Sequence, residues 1–241
     1  MKNMSKHFIL GLVLALICLR PLHAQTATNT PAATPSVAGI SVNAAQGGQP
    51  SFDCRKAASV SENTICGNAE LSRLDFQLGR TWKTLLDGFI DDAQRTQMKQ
   101  DQKTWIARRE KCAGDANCIG ELYRDRLSAL NGTDPAHRFS GVYEVKDIGL
   151  FALYPIGNRY LIHIQTADPR DGRWECDLNG EAESSGDDLD INVDRSVFQA
   201  HLQDTKTLVV SNTDSTSKAA SLFCGLNGTF AFSYLRVHPN P

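Results

Sequence analysis

Leu71, Leu74, Leu78, Trp82, Leu85 and Phe89 recur at spacings of three and four, which lays one apolar stripe along an amphipathic helix. A second helix is predicted over residues 93–111, carrying Met98, Trp105 and Ile106; no glycine or proline interrupts residues 91–113. A third is predicted over 117–130, with Ile119, Leu122, Tyr123, Leu127 and Leu130 on its inner face. A shorter helix is expected to begin at Ser61, whose hydroxyl suits an N-cap for the Glu62-Asn63-Thr64-Ile65 run. Packing of these stripes yields a small helical hairpin or bundle.

The pattern changes at the turn-rich segment Asn131-Gly132-Thr133-Asp134-Pro135. Beyond it, short apolar segments at 141–145, 151–154, 159–164, 190–193, 207–210 and 229–234 read as strands. Turn pairs such as Gly157-Asn158 and Asp171-Gly172 separate them. Regular spacing of this kind predicts a mostly antiparallel β sandwich or small barrel over residues 137–238. The expected fold class is therefore α+β, with a helical unit at 51–131 followed by a β-rich unit.

The N-terminus follows neither period. Lys2 and Lys6 precede an apolar run from Phe8 to Leu19, and Leu22-His23-Ala24 forms a small-residue cleavage site. Residues 1–24 thus read as a signal peptide, with Gln25 as the new N-terminus. The run is shorter than the roughly 20 residues a membrane helix needs, and no second such stretch follows, so no span is expected after cleavage. Ile17 before Cys18 does not fit a lipidation site. Residues 25–50 are mostly Ala, Thr, Pro, Ser, Gly, Asn and Gln, a composition expected to form a flexible linker.

Export changes the reading of the cysteines. With Cys18 removed, Cys54, Cys66, Cys112, Cys118, Cys176 and Cys224 remain, an even number in an oxidising compartment, and the expectation is three disulfides that clamp the fold. Neither Cys54-x11-Cys66 nor Cys112-x5-Cys118 has the short spacing of a zinc knuckle. Among the four helical cysteines all three pairings stay open, whereas Cys176 and Cys224 are alone in the β-rich unit and are expected to pair. Charge is uneven as well: 13 basic and 12 acidic residues lie in 51–131, against 9 basic and 15 acidic from Gly132 onward. The acid is concentrated in the β-rich unit, which excludes a nucleic-acid partner and suits a cationic one.

Several residues then form an ordered pattern. Phe52-Asp53-Cys54-x-Lys56-Ala57 is followed by Glu62-x-x-Ile65-Cys66 and Leu71-x-x-Leu74-Asp75. Gln102-x-x-Trp105-Ile106, Arg108-Arg109-x-x-Cys112, Cys118 and Tyr123-x-x-Arg126-Leu127 complete it. This stretch of about 80 residues resembles the LprI family of lysozyme inhibitors, with Trp82 where that family usually has a tyrosine. The resemblance implies a secreted or envelope helical unit, and lysozyme inhibition as its activity.

Catalytic chemistry finds little support. His137, His163, His201 and His238 have no serine or cysteine nucleophile motif beside them, and oxidised cysteines supply none. There is no phosphate loop, dinucleotide fingerprint or H-E-x-x-H motif, so no cofactor is expected. Asp190, Asn192 and Asp194 alternate as calcium ligands can, but Arg195 stands where a calcium loop has glycine, and Ile191 and Val193 between them describe a strand with one wet face. No catalytic or metal-ligating residue is therefore assigned. Trp82, Trp105, Leu74 and Tyr123 sit at core spacing, and Asp75 and Arg109 are placed to pair between neighbouring helices. The expected function is that of a non-enzymatic periplasmic or secreted binding protein. Its expected partner is a cationic lysozyme, or alternatively another envelope protein or cell-wall component.

Overall fold

A computed structural model describes residues 48–194 and 196–237. The expected signal peptide, most of the expected linker, Arg195 and His238 lie outside the described residues. Four helices come first: α1 (Val60–Gly67), α2 (Ala69–Asp87), α3 (Asp92–Glu110) and α4 (Ala116–Leu130). Each begins at a side-chain cap that the local sequence supplies. Ser59, Asn68, Asp91 and Asp115 accept from main-chain N–H groups of the first turn, satisfying donors with no partner inside the helix. At α1 the cap is Ser59 rather than Ser61. Ser59 and Glu62 form a reciprocal capping box, which outcompetes a start two residues later. Ser61 is instead buried and donates to the Arg109 carbonyl at 3.4 Å.

Three disulfides are formed, Cys54–Cys66, Cys112–Cys118 and Cys176–Cys224. The first ties the segment before α1 to the end of that helix, and the second closes the α3–α4 turn. Thr64 Oγ1 donates to Gly114 in that turn at 3.3 Å, so both bridges secure the same end of the helical unit.

The β-rich part is a closed barrel rather than a sandwich. Strands β1 (Gly141–Val145), β2 (Gly149–Ile156), β3 (Arg159–Ala167), β4 (Glu175–Ser185), β5 (Asp188–Val193), β6 (Ser196–Leu202), β7 (Thr207–Val210) and β8 (Ser233–Val237) pair antiparallel in chain order, and β8 returns to β1. One further helix, α5 (Asp214–Phe223), connects β7 to β8. Eight strands leave an interior just wide enough for side chains. Tyr143, Phe151, Ile162, Leu178, Ile191 and Tyr234 fill it, and the rings of Phe198 and Phe230 stack at 6.4 Å.

The helices cover part of the barrel wall. Val142, Ala152, Tyr154 and Leu161 point outward from β1, β2 and β3 into the core that contains Leu85, Phe89 and Met98. Val142 is opposite Ala152, and Ala152 opposite His163, so these three form one row across the strands. Gly88, just after α2, sits on that row: a Cβ there would come within 2.8 Å of the Ala152 Cβ. Its carbonyl is 2.7 Å from His163 Nδ1. Gln94 Nε2 in α3 donates to the Ile162 and Gly180 carbonyls at 3.1 and 3.0 Å.

Arg236 in β8 locks the connector between the two parts. Its guanidinium donates to the main-chain carbonyls of Asn131 (2.9 Å), Arg138 (2.8 Å), Ser140 and Thr205 (3.1 Å), and lies 4.6 Å from the Tyr143 ring centre. Burial lowers its pKa from the ordinary arginine value. Gly132, at φ +67°, leaves the space this guanidinium occupies. Replacing Arg236 by Ala should lower the unfolding free energy by about 2–3 kcal/mol, because several carbonyls lose a charged donor. Arg236→Lys should recover only part of that, since an ammonium cannot span the same acceptors. Urea titration of the two variants checks both.

Candidate functional site

Asp75 interrupts the apolar stripe of α2 at a position that spacing alone would give to leucine. It is 5% exposed, and the reason lies on the facing helices. The Tyr123 hydroxyl in α4 donates to Asp75 Oδ1 at 2.6 Å and accepts from Arg109 Nη1 in α3 at 3.0 Å. Arg109 and Asp75 therefore do not pair in direct hydrogen-bonding contact, being 3.9 Å apart; the phenol bridges them. The second Asp75 oxygen accepts the Ser51 main-chain N–H at 2.5 Å, and Arg109 also holds Glu110 at 2.8 and 3.1 Å.

The surroundings shift the ionisation of these groups. Burial, reinforced by the Asp75 charge, pushes the Tyr123 phenol far above its usual range, so it stays neutral and able to donate. Burial acts to lower the Arg109 pKa, but Tyr123 and Glu110 outweigh it and hold the guanidinium charged. The main-chain N–H groups of Ala58 and Ser59, with the Arg109 charge adding to them, pull Glu62 below the ordinary carboxylate value.

Trp105 packs edge-on against Tyr123, with ring centres 5.1 Å apart, and the Arg109 guanidinium lies 5.9 Å from the indole. A cleft of about 240 Å³ opens beside these groups. Phe52, Leu78, Trp105 and Ile106 give it apolar walls, and Glu62, Asp75, Gln102 and Arg109 give it polar ones. Gln102 also accepts from Arg126, whose guanidinium holds Asp101 and the Tyr154 hydroxyl at 2.6 Å each and so links α3 and α4 to β2.

Residues singled out in the sequence divide in two. Asp75, Trp105, Arg109 and Tyr123 meet around the cleft, whereas Leu74 and Trp82 pack in the helical core. His163 is buried between the Gly88 carbonyl and Asp177, whose carboxylate is 3.4 Å from Nε2. His137 pairs with Asp134 and His201 with Asp188. Asp190, weighed as a calcium ligand, accepts from Gln199 across the β5–β6 pair. Among the described residues no group of three or more metal-binding side chains comes together. Sequence reading missed the contribution of Ser51 and Gly79. The available signal was a glycine inside a helix, which costs about 1 kcal/mol against alanine and marks a close approach. A Cβ at Gly79 would come within 2.6 Å of the Ser51 Cβ.

Residues 54–131 match the family described as lysozyme inhibitor LprI. The helices, the two helical disulfides and the cleft all fall in or beside that segment. The proteins named lipoprotein LprI from Mycobacterium bovis and Mycobacterium tuberculosis are each 30% identical to this chain over 89 residues. That alignment covers 36% of this chain and 43% of each relative. The similarity thus spans less than half the length of the curated relatives. No solved structure matches. The LprI-like segment is the helical unit, and the barrel lies beyond it.

Two outcomes follow. Tyr123→Phe should destabilise the LprI-like segment by about 2–3 kcal/mol, since it leaves a buried carboxylate and a buried guanidinium without their bridge; thermal or urea unfolding measures it. Glu62→Ala should cost about 1 kcal/mol at neutral pH through loss of the cap. Because the folded pKa of Glu62 lies below its ordinary value of 4.5, its contribution is present above that value and lost as pH falls through the lower folded one. Unfolding curves of variant and wild type should therefore converge in acid.

Proposed function

We propose that this chain is an exported, non-enzymatic binding protein that inhibits lysozyme. The observation that carries the reading is the convergence of the LprI-like pattern on one place. Asp75, Gln102, Trp105, Ile106 and Arg109 come from two helices and line a single cleft. The name of the matched family supplies the partner class.

The remainder of the molecule is consistent with that role. The six cysteines of the described residues are all paired, so none is a free thiolate nucleophile. Extracytoplasmic disulfides agree with a signal peptide at residues 1–24 and a linker at 25–50. No helix among the described residues is long and apolar enough to cross a membrane.

The acid of the barrel is also placed on its surface. Cys176, Leu178, Ala182, Leu189 and Ile191 point inward, so their neighbours Glu175, Asp177, Glu181, Glu183, Asp188 and Asp190 point outward. Glu183 is directly opposite Asp190, a like-charge pair that is unfavourable in isolation and relieved by an approaching cation. Such a surface raises the association rate of a cationic protein and loses effect with added salt.

Titration of the mature protein into lysozyme acting on cell walls tests the proposal. Inhibition is expected, stronger at low than at moderate salt. Undiminished cell-wall lysis at micromolar protein would rule it out, and partner capture from envelope extract would then test the alternative of an envelope-associated structural or adaptor module that binds another secreted protein or cell-wall component.

A further inference from the structure

The cleft beside Trp105 has the dimensions and charge of a socket for one side chain. At about 240 Å³ it falls below the roughly 300–1,000 Å³ typical of small-molecule sites, which disfavours a free metabolite. Interfaces commonly use such pockets to take a single anchoring residue at their centre.

Charge selects the residue type. Two carboxylates, Glu62 and Asp75, line the cleft against one guanidinium, and that guanidinium is already matched by Glu110 and by the Tyr123–Asp75 pair. An anionic side chain would meet uncompensated negative charge. An apolar one would bury the polar wall without hydrogen bonds, which is costly. A cation meets both walls favourably. Its methylenes would pack on Leu78, Trp105 and Ile106, and its charged head would face Phe52 and Glu62, away from the Arg109 guanidinium that already lies 5.9 Å from the Trp105 ring. Glu62 commits Oε2 to the Ala58 and Ser59 amides at 2.8 and 3.1 Å, which leaves Oε1 as an acceptor for an incoming donor.

We infer that the cleft between α2 and α3 receives a lysine or arginine side chain of the cationic partner and is the specificity anchor of the complex. This rests on the inhibitor reading for the partner's identity but on the cleft alone for its chemistry. Ile106, 39% exposed at the rim, is the residue to change, because its substitution leaves the buried Asp75–Tyr123–Arg109 network intact.

The experiment has two arms on the full mature chain. In the first, N-acetyl-arginine amide is titrated while the Trp105 indole N–H is followed by NMR. A saturable shift is expected with this probe, and none with N-acetyl-glutamate amide. In the second, lysozyme inhibition by wild type is compared with Ile106→Arg, which places a competing cation at the rim. The variant should lose at least about tenfold in inhibition with an unchanged melting midpoint. Leu226→Ser, at an exposed position in the α5–β8 connection, should inhibit as wild type does. If wild type inhibits but the arginine probe leaves Trp105 unmoved and Ile106→Arg inhibits equally well, the socket is overturned and the inhibitor reading stands. If the probe binds at Trp105 but lysozyme is unaffected, the socket stands and the inhibitor reading falls.

Discussion

The structure depends on strands β1 to β3 being apolar on both faces. One face fills the barrel and the other must be covered, because exposed Val142, Ala152, Tyr154 and Leu161 would form a contiguous apolar patch beside a buried histidine. Helices α2 to α4 supply the cover together with the loop between α2 and α3, where Gly88 brings main chain against the Val142–Ala152–His163 row. Helical unit and barrel therefore share a core, and the orientation of α2 and α3 is set by the wall they lie on. Any surface the LprI-like segment presents to a partner is held in fixed relation to the acidic side of the barrel.

Burial of charge is the second organising feature. Asp75, Arg109 and Arg236 all lie inside or nearly so, and each is satisfied differently. Asp75 and Arg109 share a neutral phenol, while Arg236 uses main-chain carbonyls and an aromatic ring, with no acid partner among the described residues. In low dielectric such groups are tolerated only when their hydrogen bonds are complete, and they then specify one arrangement of the elements that carry them. The Tyr123 bridge fixes three helices around the cleft, and Arg236 fixes the connector to the last strand. The rigidity suits the proposed binding role, since a preformed cleft loses little entropy on binding.

The four N-terminal helices were legible because α2 and α4 carry apolar stripes at spacings of three and four and α3 is an uninterrupted run. The barrel was less so. β4 contributes only Cys176, Leu178 and Ala182 to the interior and is otherwise polar, so its sequence resembles a loop. β6 was missed likewise. The last strand begins at Ser233, later than the apolar run at 229–234 suggested, because Phe230 packs in the barrel interior ahead of the strand. Helix α5 was hidden in a polar, serine-rich segment whose Thr213 cap is visible only once its bond to the Thr216 N–H is seen.

By itself, then, the sequence determined the α+β order, the helices of the N-terminal part, the resemblance to LprI and the excess of acid in the C-terminal part. These are local or compositional properties, carried by periodicity, spacing and counts. The tertiary structure decided that the sheet closes, that Cys54 pairs with Cys66 and Cys112 with Cys118, and that Tyr123 stands between Asp75 and Arg109. Each of those depends on which surfaces meet. A strand buried on two faces, or a carboxylate bridged by a phenol 48 residues away, has no period along the chain to announce it.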